Sequence, residues 1–126
     1  MINLKEILTS RDDRVFVEKG WGYEDWIYNG DDYCGKILFF NKGKKCSFHF
    51  HAIKDEVLFV HSGQIVMKYS EYDDLENAEF VAMKPGMAFH ITPGLRHQMI
   101  AEEDTIIYEF STHHEDSDSY RIIKGD

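Results

Sequence analysis

Short apolar and aromatic stretches recur along most of the chain, and residues that favour turns separate them. Glycine, proline, asparagine and aspartate cluster between the stretches, as at 29–32, 85–86 and 93–94. Such runs, rich in Val, Ile, Phe and Tyr, are typical of β-strands. About ten of them at a spacing of about 8–12 residues predict an all-β fold, either a closed barrel or a two-sheet jelly roll. The predicted strands lie within 15–17, 22–28, 33–40, 46–51, 57–60, 64–69, 79–83, 87–91, 97–100 and 105–110.

The beginning of the chain has a different pattern. Leu4, Ile7 and Leu8 follow helical spacing after Asn3, a residue type that caps helices, so a short opening helix is expected. Nothing later in the chain has a convincing helical period. The expected organisation is an N-terminal helix and extension (1–12), one barrel (13–112) and an acidic C-terminal tail (113–126).

The C-terminal tail is polar and acidic as far as 120–123, where an apolar run predicts one last edge strand. His113 and His114 lie in this tail beside several carboxylates. A second ion site and a solvated polar segment are both consistent with that cluster. The loop-like composition favours the solvated segment.

Length and charge narrow the function classes. A chain of 126 residues fits a single domain. Fourteen Lys and Arg against 23 Asp and Glu give a formal net charge of −9, which disfavours nucleic-acid and anionic-membrane partners. No apolar run resembles a secretion signal or a membrane span, so a cytoplasmic location is expected. Cys34 and Cys46 are then interpreted as buried thiols rather than a disulfide.

Histidines and a glutamate stand close together in the middle of the chain. His49 and His51 are two residues apart on a predicted strand, where alternate side chains share one face. Glu56 follows a short connection, 52–55, and its carboxylate can reach the same face. His97 begins a later strand and can add a third imidazole if the sheet folds back on itself.

Imidazole and carboxylate ligands together suit a divalent transition metal. Three histidines and one glutamate leave one or two positions open on a six-coordinate Mn, Fe, Co, Ni or Zn ion. The alternative is that the four residues line the barrel as polar groups satisfied by hydrogen bonds. His61 falls on the opposite strand face from Glu56 and is expected at the surface, and His90 stays unassigned.

Two segments, 43–63 and 85–97, carry residues of fixed type at fixed spacing. These residues are Gly43, His49, His51, Glu56 and Gly63 in the first segment, and Pro85, Gly86, Pro93, Gly94 and His97 in the second. The segments resemble the two signature motifs of the cupin superfamily, whose members are small metal-binding jelly-roll barrels. The resemblance implies a single-domain cupin jelly-roll β-barrel that forms a homodimer, with Phe48 and Phe50 on the face away from the metal as candidates for the dimer surface. The implied metal ligands are His49, His51, Glu56 and His97.

A narrower resemblance covers most of the chain. It rests on the runs 21–24 and 47–51, on Lys54, Glu56 and 62–63, and on Glu109, Asp116, Asp118 and Arg121. These residues are similar to the cupin domain of type II mannose-6-phosphate isomerases. Membership of that group would imply aldose–ketose isomerisation of a phosphorylated sugar.

The leading hypothesis is a metal-dependent isomerase or epimerase of a sugar or sugar phosphate, in which the ion polarises a carbonyl. Glu109 and Lys54 are the candidates for general acid–base catalysis, and we expect burial to bring a carboxylate pKa nearer neutrality. An anionic substrate needs local positive charge, for which Lys36 and Arg121 are the candidate substrate-binding residues.

Two other functions use the same ligand set. A non-haem iron dioxygenase would bind oxygen and a bidentate substrate at the open positions, and it would depend on iron. A non-catalytic metal- or sugar-binding domain would have no strong acid–base residue near those positions.

Overall fold

The computed structural model describes all 126 residues, and most of the chain is β-structure. The other regular elements are one short helix, α1 (Leu4–Ile7), and two 3₁₀ turns, Arg11–Asp13 and Asp116–Asp118. No helix has the length and apolar character that crossing a membrane requires. The strands are β1 (Phe16–Lys19), β2 (Gly22–Asn29), β3 (Cys34–Phe40), β4 (Phe48–His51), β5 (Glu56–Ser62), β6 (Ile65–Ser70), β7 (Glu79–Met83), β8 (Ala88–Ile91), β9 (Arg96–Ala101), β10 (Thr105–Ser111) and β11 (Ser119–Ile123).

The strands form two antiparallel sheets. One sheet has six strands in the order β1-β2-β3-β10-β5-β8, and the other has five in the order β11-β4-β9-β6-β7. Strands far apart in sequence are neighbours in both sheets, as β3 and β10 are, which is typical of a jelly roll. The predicted all-β jelly-roll barrel with a short N-terminal helix is therefore confirmed.

The side chains inside the barrel change from charged to apolar along the strands. On β3 the buried inner residues run from Lys36 to Leu38 and Phe40, and on β10 they run in the opposite direction, from Ile107 to Glu109. Because the two strands are antiparallel, their charged ends coincide, and Lys36 lies directly opposite Glu109. The barrel therefore has an apolar core at one end and charged side chains at the other.

A cluster of thirteen buried residues from both sheets and their connections forms the hydrophobic core. Full burial of one aliphatic or aromatic side chain stabilises the fold by about 1.5–3 kcal/mol. Packing between the sheets holds them at a fixed separation, and the charged end is built on that frame. The cluster consists of Trp21, Leu38, Phe40, Cys46, Leu58, Val60, Ile65, Met67, Met83, Ile91, Met99, Ala101 and Ile107.

The N-terminal extension contacts the barrel through two arginines, the first of which, Arg11, lies over the Phe16 and Tyr23 rings at 4.2 and 5.2 Å from their centroids. The helix α1 begins after Asn3, whose side-chain oxygen accepts a hydrogen bond from the Lys5 N–H at 3.1 Å. None of its residues is buried. Further along, the Arg14 guanidinium donates two hydrogen bonds to the buried Asp25 carboxylate, at 3.1 and 2.9 Å, and so links the extension to β2.

The C-terminal tail folds onto the barrel. Strand β11 pairs antiparallel with β4 at the edge of the five-stranded sheet, with Ser119 opposite His51 and Arg121 opposite His49. The tail therefore runs directly beside the strand that carries two of the histidines.

One expectation for the outer face of this sheet was wrong. Phe48 was a candidate for a dimer surface, but it is completely buried within its own chain. Phe50 is only partly buried, and its ring stacks on that of Tyr120 at 5.0 Å between centroids. The guanidinium of Arg96 lies over the Phe50 ring at 3.8 Å, so this face is partly covered by the chain's own residues.

Candidate metal centre

Three histidines converge inside the charged end of the barrel. His49 and His51 alternate along β4, and His97 on the neighbouring β9 lies opposite His49. One ligand atom of each imidazole lies within 4.8 Å of the others, a spacing that could hold a metal ion. Glu56, the first residue of β5 in the other sheet, brings its Oε2 to 3.3 Å from the His51 Nε2.

A backbone carbonyl faces the Nδ1 atom of each imidazole. The His49 Nδ1 lies 2.9 Å from the Ser47 carbonyl, the His51 Nδ1 lies 3.1 Å from that of Asp118, and the His97 Nδ1 lies 3.0 Å from that of Leu95. A carbonyl oxygen only accepts hydrogen bonds, so each Nδ1 carries the proton and each neutral Nε2 keeps a free lone pair. This is the arrangement in which histidine binds metals.

The imidazoles are uncharged at neutral pH. Burial lowers the pKa of His49 to about 3, and the neighbouring His97 adds to the effect. Burial also lowers the pKa values of His51 and His97 to about 4. The three rings therefore need to lose no proton before they can act as ligands.

The surroundings of the Glu56 carboxylate show whether a cation fits beside the histidines. Its Oε2 is buried and has no hydrogen-bond partner. The His51 Nε2, 3.3 Å away, is itself an acceptor because the His51 proton is on Nδ1. Burial, and then the negative charge of Glu109, raise the pKa of Glu56. The three histidines alone form the group of ligand atoms within 4.8 Å of one another, and the Glu56 Oε2 joins them at the His51 side. An unsatisfied carboxylate oxygen next to imidazole lone pairs fits a divalent cation, which would satisfy these groups.

A buried ion pair lies beside these residues. The Lys54 Nζ is 2.6 Å from the Glu109 Oε2, and both side chains are almost completely inaccessible to solvent. The Ser111 hydroxyl donates a second hydrogen bond to the same oxygen at 2.9 Å. Burial alone would raise the pKa of Glu109, but the ammonium groups of Lys54 and Lys36 outweigh it and lower that pKa. The expectation of a Glu109 pKa near neutrality was therefore wrong, because the carboxylate is paired as well as buried.

All eight residues singled out in the sequence line one cavity of about 180 Å³. The structure thus brings together the four expected ligands, the expected acid–base pair, and the two expected substrate-binding cations. These residues are Lys36, His49, His51, Lys54, Glu56, His97, Glu109 and Arg121.

The two candidate substrate-binding cations differ in their surroundings. The Lys36 Nζ is buried, lies 3.2 Å from the Glu24 Oε1, and sits over the Trp26 ring at 4.3 Å. Arg121 is exposed at the cavity and belongs to none of the salt bridges of the chain. Lys36 is therefore already paired, whereas Arg121 is free to meet an anion.

Known protein structures share this architecture. No protein-family model and no curated protein matches the sequence. Solved structures do match, among them a capsular polysaccharide assembling protein, CapF, from Staphylococcus aureus, with a TM-score of 0.76 and 16% identity over 86% of this chain and 32% of CapF. KdgF from a Halomonas species has a TM-score of 0.71 and 16% identity over 86% of this chain and 94% of its own.

A third structure is an RmlC-like cupin from Shewanella frigidimarina, with a TM-score of 0.71 and 14% identity over 86% of this chain and 92% of its own. The chain has a cupin fold. It spans about a third of the length of CapF, the first of these neighbours. The cupin fold expected from the two motifs is thereby established.

Sequence reasoning missed part of the cupin cavity wall. His114 was assigned to a solvated tail, but it lines the cavity, and its Nδ1 lies 3.0 Å from the Lys54 Nζ. Asp118 lies behind that wall, where it is buried and accepts hydrogen bonds from the Ala52 and Lys54 N–H groups in the connection after β4. The apolar run at 120–123 was the available signal, since a strand there carries the preceding residues onto the barrel.

Two further histidines, His61 and His90, lie apart from the converging triad. His61 is exposed on β5 and stacks on Tyr108 at 5.0 Å between centroids. His90, left unassigned from sequence, is an exposed residue of β8 whose Nε2 lies 2.6 Å from the Asp55 Oδ1. These two histidines are structural or surface groups rather than members of the centre.

Proposed function

We propose that this chain is a metal-dependent cupin enzyme that isomerises or epimerises a small sugar or sugar phosphate. The observation that carries the proposal is the buried Lys54–Glu109 pair in the same cavity as the three neutral histidines. A binding domain has no need of a buried acid–base pair beside its open metal positions. Burying two charges costs free energy, and proteins commonly keep such a buried pair where the charges serve a function.

The proposed metal ligands are the Nε2 atoms of His49, His51 and His97 and the Oε2 of Glu56. This set of nitrogen and oxygen donors suits a divalent Mn, Fe, Co, Ni or Zn ion. Such an ion, when bound, supplies Lewis-acid polarisation of a substrate carbonyl.

The proton transfer is assigned to the chain's own acid–base pair. Glu109 is ionised, since its pKa is lowered, and its carboxylate can therefore accept a proton from the carbon next to the carbonyl. An aldose–ketose exchange is completed when Glu109 returns that proton to the neighbouring carbon and the hydroxyl proton of that carbon moves to the former carbonyl oxygen. An epimerisation is completed when a second donor, such as a water molecule, protonates the opposite face of the same carbon and Glu109 releases its proton. Lys54, which is protonated, donates a hydrogen bond to the oxygen on which negative charge develops.

The other cavity residues bind the substrate in this proposal. Arg121 pairs with an anionic group such as a phosphate, because its guanidinium has no partner within the chain and can bind bidentately. Lys36 and Glu24 form part of the wall and offer hydrogen-bonding groups to sugar hydroxyls. The name of one structural neighbour, a capsular polysaccharide assembling protein, agrees with a sugar ligand.

The test combines metal analysis with a screen of sugars and sugar phosphates. Protein purified without added metal is expected to contain about one transition-metal ion per chain, and His97→Ala is expected to lose both the ion and turnover. Glu109→Gln is expected to keep the ion and lower kcat by about 10²–10⁴-fold, the usual contribution of a general base. His61→Ala, which removes an exposed histidine outside the triad, serves as the control.

Three outcomes would contradict the proposal. Loss of metal in Glu109→Gln would show that Glu109 holds the centre together rather than moving a proton. Turnover that needs iron and consumes oxygen would identify a dioxygenase. Metal and sugar binding without turnover of any sugar or sugar phosphate would identify a binding domain.

The proposed location of the chain is the cytoplasm, where two free buried thiols are stable. We also propose that two chains pair through the outer face of the six-stranded sheet. On that face Phe110 is 57% exposed, and the partly buried Phe59 and Tyr108 rings stack beside it. Light scattering after size exclusion is expected to give twice the mass of one chain for the wild type and the single-chain mass for Phe110→Asp. Phe80→Asp, at an exposed position on the other sheet, should leave the mass unchanged. A single-chain mass for the wild type would overturn this assignment.

A further inference from the structure

One aspartate of the C-terminal tail accepts hydrogen bonds from the last residue of β4 and from the connection that follows it. The Asp118 carboxylate accepts from three consecutive backbone N–H groups, those of Ala52 at 2.9 Å, Ile53 at 3.1 Å and Lys54 at 2.9 Å. The Asp118 backbone carbonyl accepts from the His51 Nδ1 at 3.1 Å. A single residue thus contacts every position from His51 to Lys54.

These four positions carry much of the proposed centre. His51 is a proposed ligand, Lys54 is the proposed acid, and Glu56 begins the next strand two residues later. The connection must turn sharply enough to bring the Glu56 Oε2 to 3.3 Å from the His51 Nε2 across the gap between the two sheets. Three amide hydrogen bonds to one charged acceptor hold the turn in that shape.

His51 differs from the other two histidines in how its ring is oriented. The carbonyls that hold the Nδ1 atoms of His49 and His97 belong to Ser47 and Leu95, each two residues away along the chain. The carbonyl that holds His51 lies 67 positions away, on Asp118. The local chain orients two of the rings, whereas the third depends on the docking of a remote segment.

We propose that Asp118 is a positioning residue of the metal centre. Its carboxylate fixes the turn at 52–54, and through that turn it holds its own carbonyl against the His51 ring, which sets the tautomer and direction of one ligand. This inference rests on the proposed function, because a role of the C-terminal tail in metal affinity requires that the centre binds a metal. Asp118 does not line the cavity, so it acts through His51 and the turn.

The experiment uses the full chain with cobalt(II) as the probe metal. Asp118→Ala is expected to bind cobalt about 10- to 100-fold more weakly than the wild type, the usual effect of losing a group that orients a ligand. The metal-free protein is measured in parallel by ¹⁵N NMR of the histidine rings. The His51 resonances are expected to move towards a mixture of tautomers, while those of His49 and His97 stay in place.

Asp104→Ala is the matched control. Its carboxylate also accepts a backbone N–H, that of Lys42 at 2.8 Å, but Asp104 lies in the loop between β9 and β10 and does not line the cavity. A general loss of stability would appear in both variants, whereas the changes in cobalt affinity and in the His51 resonances are expected only in Asp118→Ala.

Asp118→Asn keeps the test decisive if the alanine variant does not fold. The asparagine retains one oxygen for Ala52 and Ile53, but its NH₂ group faces the Lys54 N–H, so a smaller effect of the same sign is expected. Wild-type cobalt affinity together with unchanged His51 resonances in a folded variant would overturn the inference, whatever happens to the melting temperature. A wild type that binds no cobalt or other transition metal would refute the proposed metal function, and the NMR comparison would still decide the role of Asp118.

Discussion

Each candidate histidine ligand is oriented by a neighbouring backbone carbonyl. The backbone carbonyls of Ser47, Asp118 and Leu95 hold the protons of the three imidazoles on Nδ1, and burial keeps the rings neutral. The Glu56 Oε2, by contrast, has no donor at all. The centre therefore combines three groups that are fully prepared for a cation with one that is left unsatisfied without it.

The turn glycines allow a prediction at the same scale. Gly63 and Gly43 have nearly the same positive φ, 88° and 83°, but a Cβ at Gly63 would clash with the Asp104 carbonyl oxygen and the Thr105 side chain, whereas at Gly43 it would meet open space. Both alanine variants should lose about 1–2 kcal/mol from the left-handed backbone, and Gly63→Ala should lose more because of the clash. Urea unfolding measures both. Equal losses would show that the backbone conformation alone explains the two glycines.

At the scale of elements, the strands could be predicted because alternation and turn residues are local properties of the chain. The same alternation placed His49 and His51 on one face of β4, as the structure has them. The role of the tail could not be predicted in this way, because the hydrogen bonds of Asp118 join positions 64–67 residues apart. The direction of the Glu109 pKa shift depends likewise on Lys54, from the connection between two other strands.

Cross-strand pairing also gives a pH-dependent prediction. Burial would raise the pKa of Glu24 on β2, but Lys36 on β3 and the Trp26 N–H outweigh it and hold that pKa below its ordinary value of 4.5. Glu24 therefore contributes stability above about pH 4.5, and this contribution is lost as the pH falls through the lowered pKa. In Lys36→Met the buried carboxylate has lost its main partner, so the variant should be less stable than the wild type at pH 7, by a margin that shrinks towards pH 4.

Thermal unfolding across this pH range measures that margin. The double variant Lys36→Met/Glu24→Gln carries no unpaired carboxylate at this position and should recover most of the lost stability, with little dependence on pH. A margin that stays constant from pH 7 to pH 4 would mean that Lys36 stabilises the barrel by packing on Trp26 rather than by its charge.

At the scale of the whole molecule, the two ends of the barrel hold the sheets together by different means. The apolar end does so through the core, which packs side chains of both sheets together. At the charged end, the three histidines belong to the five-stranded sheet and Glu56 to the six-stranded sheet. A cation bound by all four would join the sheets at the end where the core does not reach.

Metal binding is therefore expected to stabilise the entire fold. A metal at 100 times its Kd should add about 2.7 kcal/mol to the free energy of unfolding, and a chelator should remove the gain.

Glu56→Gln keeps the shape of the side chain and gives up no hydrogen bond at Oε2, so the metal-free variant should unfold near the wild-type temperature. With metal present it should gain much less than the wild type, because one ligand and the link between the sheets are lost. Glu102→Gln, at an exposed position, is the control and should gain as much as the wild type. A full metal-dependent gain in Glu56→Gln would show that the ion sits on the histidines alone, within one sheet, and that the unsatisfied carboxylate has another cause.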